Sequence, residues 1–188
     1  MSTEKEEGSA KKKEPTLPAF NLAELKKMLP FQWRVQQEFP DYGFIKYVAY
    51  IDARQVMELL DEVVGSENWQ SKFQMLGTKL FCSLGIFIRN HDEEWGGGEW
   101  VWKEDVGTES QIEKDKGQAS DALKRAAVHW GIGRFLYDLP NATINARIKE
   151  VKNKKGETIR RCIPTDDAGA DIKDVGAHMK KKFPHLYK

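Results

Sequence analysis

The chain has 188 residues, of which 40% are hydrophobic, and its 30 basic and 29 acidic side chains give a formal net charge of +1. This length and apolar content suit one ordinary domain with a packed core and flexible ends. The small net charge excludes a bulk attraction to nucleic acid, so any such attraction must come from a local patch. Two cysteines, Cys82 and Cys162, cannot form a disulfide framework and have no partners at metal-binding spacing.

The first residues of the chain are charged or small and show no apolar periodicity. We predict a disordered tail over 1–18, although Lys11, Lys12 and Lys13 could touch phosphate. This stretch lacks the apolar run of a signal peptide, and no segment is long enough to span a bilayer. We therefore expect a soluble, intracellular protein.

The next elements are predicted from caps and apolar spacing. A short helix is expected over 22–29, capped by Asn21 and ended by a proline. Residues 44–51 are rich in β-branched and aromatic side chains, which is typical of a strand. Asp52 then caps a helix over 53–64 that presents valines and leucines on one face.

Three strands are predicted after this helix. They cover 69–76, 79–90 and 99–108, with a turn between the first two and an acidic, glycine-rich loop over 91–98. On the third of them we expect Trp100, Trp102 and Asp105 on one surface and Lys103 near the other, allowing for a small bulge.

The stretch 115–140 predicts the helix around which the chain is organised. At about 100° per residue, one face collects small and apolar side chains, namely Ala119, Ala122, Leu123, Ala126, Ala127 and Trp130. The other face presents Lys124 and Arg125, with Lys116 two turns earlier. Gly131 and Gly133 mark the end of the helix.

The composition changes after Pro140. Strands are predicted over 142–151 and 157–163, joined by a turn at 153–156. This hairpin is rich in cations, namely Arg147, Lys149, Lys152, Lys154, Lys155, Arg160 and Arg161. A short helix ending at Lys182 is possible in the last stretch.

The element order predicts an α+β fold. We expect an antiparallel β-sheet meander packed on a long central helix, a β-β-β-α core, followed by a C-terminal β-hairpin. The expected divisions are a tail over 1–18, a core over 19–140, and the basic hairpin with its C-terminal tail over 141–188.

Catalytic and phosphate-cradling motifs are weak. The acidic run 91–94 could suggest a metal-dependent nuclease, but such sites need ligands that converge from separate elements. Neither Gly131-Ile-Gly133 nor the glycines at 96–98 follow a strand and open a helix, as a dinucleotide fingerprint requires. Nothing argues for an enzyme, and we expect no cofactor or metal.

The basic face of the predicted helix allows two interpretations. Asp121 lies three residues before Lys124 and four before Arg125, so intrahelical pairing could account for these charges. One carboxylate cannot neutralise both cations and Lys116, however. The alternative is a ridge that tracks the phosphates of a nucleic acid strand.

Three blocks carry a resemblance to a known family. In order they read YIDARQVMELLDEVVGSENW, WVWKEDVGTES and KGQASDALKRAAVHWGIGRFLY. Over roughly 47–139 the chain resembles the single-strand annealing proteins of the Rad52 superfamily, which include phage Sak-type annealases and bacterial relatives. The resemblance implies subunits assembled into rings or arcs, and single-stranded DNA held in a basic groove with its bases outward and without nucleotide hydrolysis.

The resemblance also suggests site residues. Lys124 and Arg125 match the family's adjacent cations on the groove helix, Lys116 matches another lysine, and Arg54 lies within one place of a groove arginine. Val128 and Ser66 depart from the pattern, since a further cation and an aromatic residue can occur there. Recruitment of the basic hairpin could compensate. The candidate DNA-binding residues are therefore Lys124, Arg125, Lys116, Arg54, Lys103, Lys152, Lys154 and Lys155.

The sequence thus favours a non-catalytic protein that binds and anneals single-stranded DNA. We expect a homo-oligomer in the cytoplasm of a bacterium or of a phage-infected host cell. A single-strand-binding protein or a recombinase is a candidate partner, and a membrane is not. Two alternatives stay open: a structural or regulatory oligomer without DNA binding, and a metal-dependent nuclease using Asp92, Glu93 or Asp105.

Overall fold

A computed structural model describes residues 20–89, 97–108 and 114–187, except for the side chains of 114–116. The strands in these ranges are β1 (Gln32–Phe39), β2 (Phe44–Tyr50), β3 (Trp69–Leu76), β4 (Lys79–Arg89), β5 (Gly98–Val106), β6 (Ala142–Lys152) and β7 (Thr158–Pro164). The α-helices are α1 (Ala53–Val64), α2 (Lys114–His129) and α3 (Val175–Lys182). Short 3-10 helices cover Leu22–Lys26, Arg134–Tyr137 and Pro184–Tyr187. The predicted tail and the acidic run 91–94 lie outside the described residues.

Helix α1 begins and ends where its sequence signals predict. The Asp52 carboxylate accepts hydrogen bonds from the backbone N–H groups of Arg54 and Gln55, at 2.8 and 3.1 Å. The Gln55 side chain accepts the N–H of Asp52 in return, which completes a capping box. Gly65 ends the helix at a positive φ of 86°, a backbone conformation that glycine adopts without steric cost.

The strands form two antiparallel sheets, with the orders β1-β2-β6-β7 and β3-β4-β5. A mixed α/β fold built on antiparallel strands is therefore confirmed. The prediction of one sheet on one long central helix is not, because β6 pairs with β2 across the chain and the three α-helices of the described ranges have 12, 16 and 8 residues. Strand β1 was not predicted; it is an edge strand whose side chains are mostly exposed.

The first hydrophobic core lies between the β3-β4-β5 sheet and the helices α1 and α2. Leu84 and Ile86 of β4 are buried against the predicted apolar face of α2. Trp130, just after α2, donates its indole N–H to the carbonyl of Leu84 at 3.1 Å. This contact fixes the end of α2 on the sheet.

The second core lies on the other sheet, against α3. It includes Ile45, Ile144 and Met179, all almost fully buried. Trp33 of β1 stacks on Phe183 with ring centroids 5.7 Å apart. No helix within the described ranges is long and apolar enough to cross a membrane.

The register of β5 differs from the prediction of which side chains share a face of this strand. Its register with β4 is continuous from Gly98 to Val106, without the bulge that was allowed for. Side chains therefore alternate strictly, and Asp105 shares the α2-facing side with Lys103 rather than the side of Trp100 and Trp102. This difference places a carboxylate beside the basic edge of α2.

A candidate nucleic-acid interface

An open groove of about 440 Å³ lies between α2 and β2. Its walls come from β1, β2, α2 and the segment that follows α2, including Gln36, Tyr50, Lys124, Arg125, Tyr137 and Asn141. The groove uses the face of β2 opposite the second core, because Ile45 and Tyr47 point to that core whereas Val48 and Tyr50 line the groove. The groove therefore lies between a helix and a strand, and each of them packs against a hydrophobic core on its other face.

Lys124 lines the groove and lies against the strand side of it, over Tyr50 of β2. Its ammonium lies 4.0 Å from the centroid of the Tyr50 ring, and the guanidinium carbon of Arg34 lies 3.6 Å from the same centroid. Cation–π attraction therefore gathers two cations around one tyrosine. Lys124 forms no ion pair with any carboxylate of the described ranges. Its charge is available to an anion in the groove.

Arg125 is held differently. Its guanidinium forms an ion pair with Asp105 at 3.3 Å, and His129 approaches the other oxygen of that carboxylate at 3.3 Å. Burial alone would raise the pKa of Asp105, but the Val106 amide, Arg125 and His129 together hold that pKa below its ordinary value. Arg125 lines the groove from a fixed position, with part of its charge balanced.

The alternative interpretation, in which Asp121 pairs with Lys124 and Arg125, does not describe the structure, since Asp121 forms no ion pair with either. The Asp121 carboxylate instead accepts two hydrogen bonds from Thr108, from its backbone N–H at 2.9 Å and from its hydroxyl at 2.7 Å. Thr108 follows β5, so this bond ties the strand end to α2. Arg125 pairs with Asp105, which lies 20 residues earlier in the sequence, so helical spacing could not predict this partner.

Besides Lys124 and Arg125, three candidates were predicted on or near the core helices. Lys116 belongs to α2, but its side chain is not among those described. Arg54 is exposed in the first turn of α1. Lys103 donates to the carbonyl of His129 at 2.9 Å and lies over the Trp130 ring, so it stabilises the C-terminal end of α2.

The hairpin lysines are not brought to the groove. Lys152, Lys154 and Lys155 lie at the β6–β7 turn, ten residues along β6 from the groove end of the strand. At about 3.3 Å per residue this separation is roughly 30 Å. The arginines of the hairpin bind carboxylates from elsewhere in the chain, in the pairs Arg147–Asp171, Arg160–Asp41 and Arg161–Glu38.

Metal ligands do not converge in the part of the chain that the structure describes. Within the described ranges, no three histidine, cysteine, aspartate or glutamate side chains could hold one ion. Asp105, a candidate nuclease ligand, is engaged by Arg125 and His129. Asp92 and Glu93 lie outside the described residues.

Comparison with known proteins supplies the family. The profile of the Rad52/22 family of double-strand break repair proteins matches residues 22–158, which include both walls of the groove. The chain belongs to the Rad52/22 family. The resemblance that the three sequence blocks carry is confirmed, and no solved structure is significantly similar to the chain.

Two curated relatives of this Rad52/22 chain bear the same name. The single-stranded DNA-binding protein DdrA of Deinococcus deserti is 40% identical over 96 residues, which cover 50% of this chain and 43% of the relative. DdrA of Deinococcus radiodurans is 35% identical over 95 residues, which cover 50% of this chain and 41% of that protein. The matched part therefore spans less than half of each relative.

Sequence reasoning missed part of the groove of this Rad52/22 chain. Arg34 was overlooked because β1 was not predicted, and Tyr50 was noted only as a strand residue. Tyr137 is 73% exposed at the rim, where helical spacing gives no information. A signal was present for Tyr50, which opens the first block of the family resemblance.

Proposed function

We propose that the chain binds single-stranded DNA by its backbone in the groove between α2 and β2, and anneals complementary strands in DNA repair. The observation that carries this proposal is the position of Lys124, an ammonium without a described carboxylate partner, held over Tyr50 in an open groove. Basic grooves that combine cations with aromatic side chains are typical of proteins that bind single strands.

The chemistry of the groove suits a sequence-neutral partner. Lys124 and Arg125 can contact phosphates, which are the same in every sequence. The groove lies on the open side of β2, so a strand held there by its backbone keeps its base edges accessible for pairing. The family match and the name of the two relatives support single-stranded DNA as the ligand.

We also propose that the protein acts as a homo-oligomer. Strand β3 is an edge of its sheet, and its Phe73 and Met75 are 46% and 54% exposed on the helix-facing side. An apolar edge strand of this kind is suited to contact with a second copy. Light scattering at micromolar concentration should show an assembly, and a monomer with intact annealing would contradict this part of the proposal.

One experiment tests the function against its alternatives. Labelled single strands of several sequences are incubated with the protein, with and without Mg²⁺, and followed by anisotropy, by annealing to a complement and by gel electrophoresis. We expect binding and annealing without cleavage in both conditions. The absence of binding would favour a structural oligomer, whereas Mg²⁺-dependent cleavage would favour a nuclease.

A further inference from the structure

The β3-β4-β5 sheet has a second face that points away from α2. Strict alternation along the three strands places Phe87 of β4 and both Trp100 and Trp102 of β5 on this outer face. The ring centroids of Phe87 and Trp100 are 5.6 Å apart, and those of Trp100 and Trp102 are 5.9 Å apart. Three aromatic rings thus form a continuous row across two strands.

A glycine lets one of these rings lie close against the sheet. A Cβ atom at Gly85 would lie 2.8 Å from the indole of Trp102, and Gly85 has no positive φ, so the close approach of the ring explains this glycine better than backbone conformation does. At Gly98 a Cβ atom would meet both the backbone carbonyl of Ile88 at 2.6 Å and the ring of Phe87 at 2.7 Å. The Trp102 ring therefore packs against the backbone of the sheet at Gly85.

The charges around this row are mainly positive. The ammonium of Lys72 lies 4.0 Å from the centroid of a Trp102 ring, and the register places Lys79 on the same face. Arg89 also belongs to this face by register, but its Nε is buried and its guanidinium lies 3.5 Å from the side-chain oxygen of Asn68, so it is not counted among the available cations. Among the described residues of the three strands, Glu104 is the carboxylate on this face, and it accepts a hydrogen bond from Ser83 at 3.1 Å. The face therefore joins flat aromatic rings to an excess of cations.

We propose that this outer face is a separate binding surface for single-stranded DNA that holds bases by stacking. Trp100, which is 37% exposed, is the main stacking platform. Trp102 is exposed to a base when Lys72 moves from its ring to a phosphate. The proposal takes its ligand from the proposed function, but it uses base faces where the groove uses phosphates.

The charge pattern favours a nucleic acid over a second copy of the chain. If two copies paired face to face through this surface, the net positive charge that Lys72 and Lys79 give one copy would lie against the same net positive charge of the other. Such like-charge contact is unfavourable. A polyanion with planar bases satisfies both the cations and the rings.

Substitutions at Trp100 test the stacking directly. Trp100→Ala should weaken the binding of an oligothymidine by roughly tenfold, the usual order for loss of one stacked base. Trp100→Phe keeps an aromatic face and should recover most of the affinity, whereas Trp100→Leu keeps apolar volume and should not. Equal affinity for all four proteins would overturn the proposal.

An abasic strand separates this surface from the groove. It retains phosphates but has no bases, so the parent protein and Trp100→Ala should bind it equally. Lys124→Ala with Arg125→Ala should weaken binding to both strands, which tests the groove alone. If that double variant loses binding while Trp100→Ala has no effect on either strand, the proposed function stands and the outer-face proposal fails.

One control and one further variant complete the test. Tyr42→Ala removes an aromatic side chain that is 77% exposed at the β1–β2 turn, and it should leave affinity unchanged. Lys72→Gln is a second variant at an exposed position, and it should reduce the salt dependence by about 0.7 in the slope of log affinity against log salt. If Trp100→Ala changes the oligomer size and not the affinity per subunit, the face is a contact between copies and the proposal is wrong.

Discussion

The chain has two regions that are rich in cations, and they differ in how those cations are held. In the groove, Lys124 and Arg125 project from α2, whose opposite face is buried, and each lies against a partner from another element. In the β6–β7 hairpin, Lys154 and Lys155 belong to an exposed turn. The hairpin has more positive side chains, but the groove has the better positioned ones.

This difference teaches that the number of cations is a poor guide to a binding site. The hairpin arginines are already paired with carboxylates, as in the bidentate contact of Arg147 with Asp171 at 2.9 and 2.7 Å. That contact lowers the pKa of Asp171 and raises the pKa of Arg147. A strand arriving there would have to replace an existing partner. In the groove, Lys124 lies over the ring of Tyr50 and has no carboxylate partner among the described residues.

The largest effect is expected from the double variant Lys124→Ala and Arg125→Ala. Binding of all single strands should weaken by roughly tenfold or more, because two charged contacts to phosphate are lost. The slope of log affinity against log salt should fall by about 1.4, at about 0.7 for each contact. Anisotropy titrations at several salt concentrations measure both quantities.

The matched control removes the same charge from the other region. Lys154→Ala with Lys155→Ala also takes away two positive charges, but from the exposed turn. Circular dichroism and oligomer size should equal those of the parent for both double variants. Equal losses of affinity in the two regions would show that net charge, and not the groove, governs binding.

A smaller effect is expected from the ring that gathers the groove cations. Tyr50→Leu removes the cation–π contacts of Lys124 and Arg34, and affinity should fall about three- to tenfold. Tyr50→Phe retains the π face and should bind nearly as well as the parent. If Tyr50→Leu and Tyr50→Phe bind equally, the ring does not position the cations.

The fold was predictable where the signals are local. The Asp52 cap and the Gly65 ending predicted the bounds of α1, and the β-branched and aromatic residues of 44–51 predicted β2 to within one residue. Strand β1 was missed because its pairing with β2 matters more than its own composition, which is largely polar. The split into two sheets depends on the pairing of β6 with β2, which no local pattern encodes.

The candidate site was predictable in part for the same reason. Helical periodicity is enough to place Lys124 and Arg125 on the face opposite the core. It could not reveal that Asp105 and Tyr50 are their partners, because these residues arrive from other strands. Asp121 shows the limit of this reasoning. Its spacing from Lys124 and Arg125 allows intrahelical pairing, but its carboxylate accepts hydrogen bonds from Thr108 instead.

Acidification should lower the free energy of unfolding in part by protonating Asp105, the partner of Arg125. Its folded-state pKa is below the ordinary value of about 3.9, so the carboxylate stabilises the fold above that pH, and this contribution is lost as pH falls through the folded pKa. Asp105→Asn should therefore flatten the decrease in the free energy of unfolding below about pH 4. The pair is partly exposed, so the effect at neutral pH should be about 1 kcal/mol or less.

Denaturant unfolding from pH 7 to pH 3 measures this contribution. Asp171→Asn is a useful comparison, because the pKa of Asp171 is also lowered, but by Arg147 in the hairpin region. It should change acid stability without changing the environment of Arg125. If Asp105→Asn and the parent lose stability in parallel on acidification, the Asp105 contacts do not contribute in the way described.

The smallest effect is expected from the hairpin turn. Replacing Lys152, Lys154 and Lys155 by glutamine should change affinity for single strands by less than about twofold, since exposed, unpositioned lysines contribute little beyond long-range attraction, which salt screens within roughly 10 Å. The fold should tolerate the change, because the turn is held by Asn153, whose side-chain oxygen accepts the N–H groups of Lys155 and Glu157 at 2.9 and 3.0 Å. Titration at low and at physiological salt decides the matter. A loss of affinity as large as that of the groove variant, with a matching fall in salt slope, would mean that the strand runs from the groove along β6 to the hairpin, and that the two basic regions form one surface.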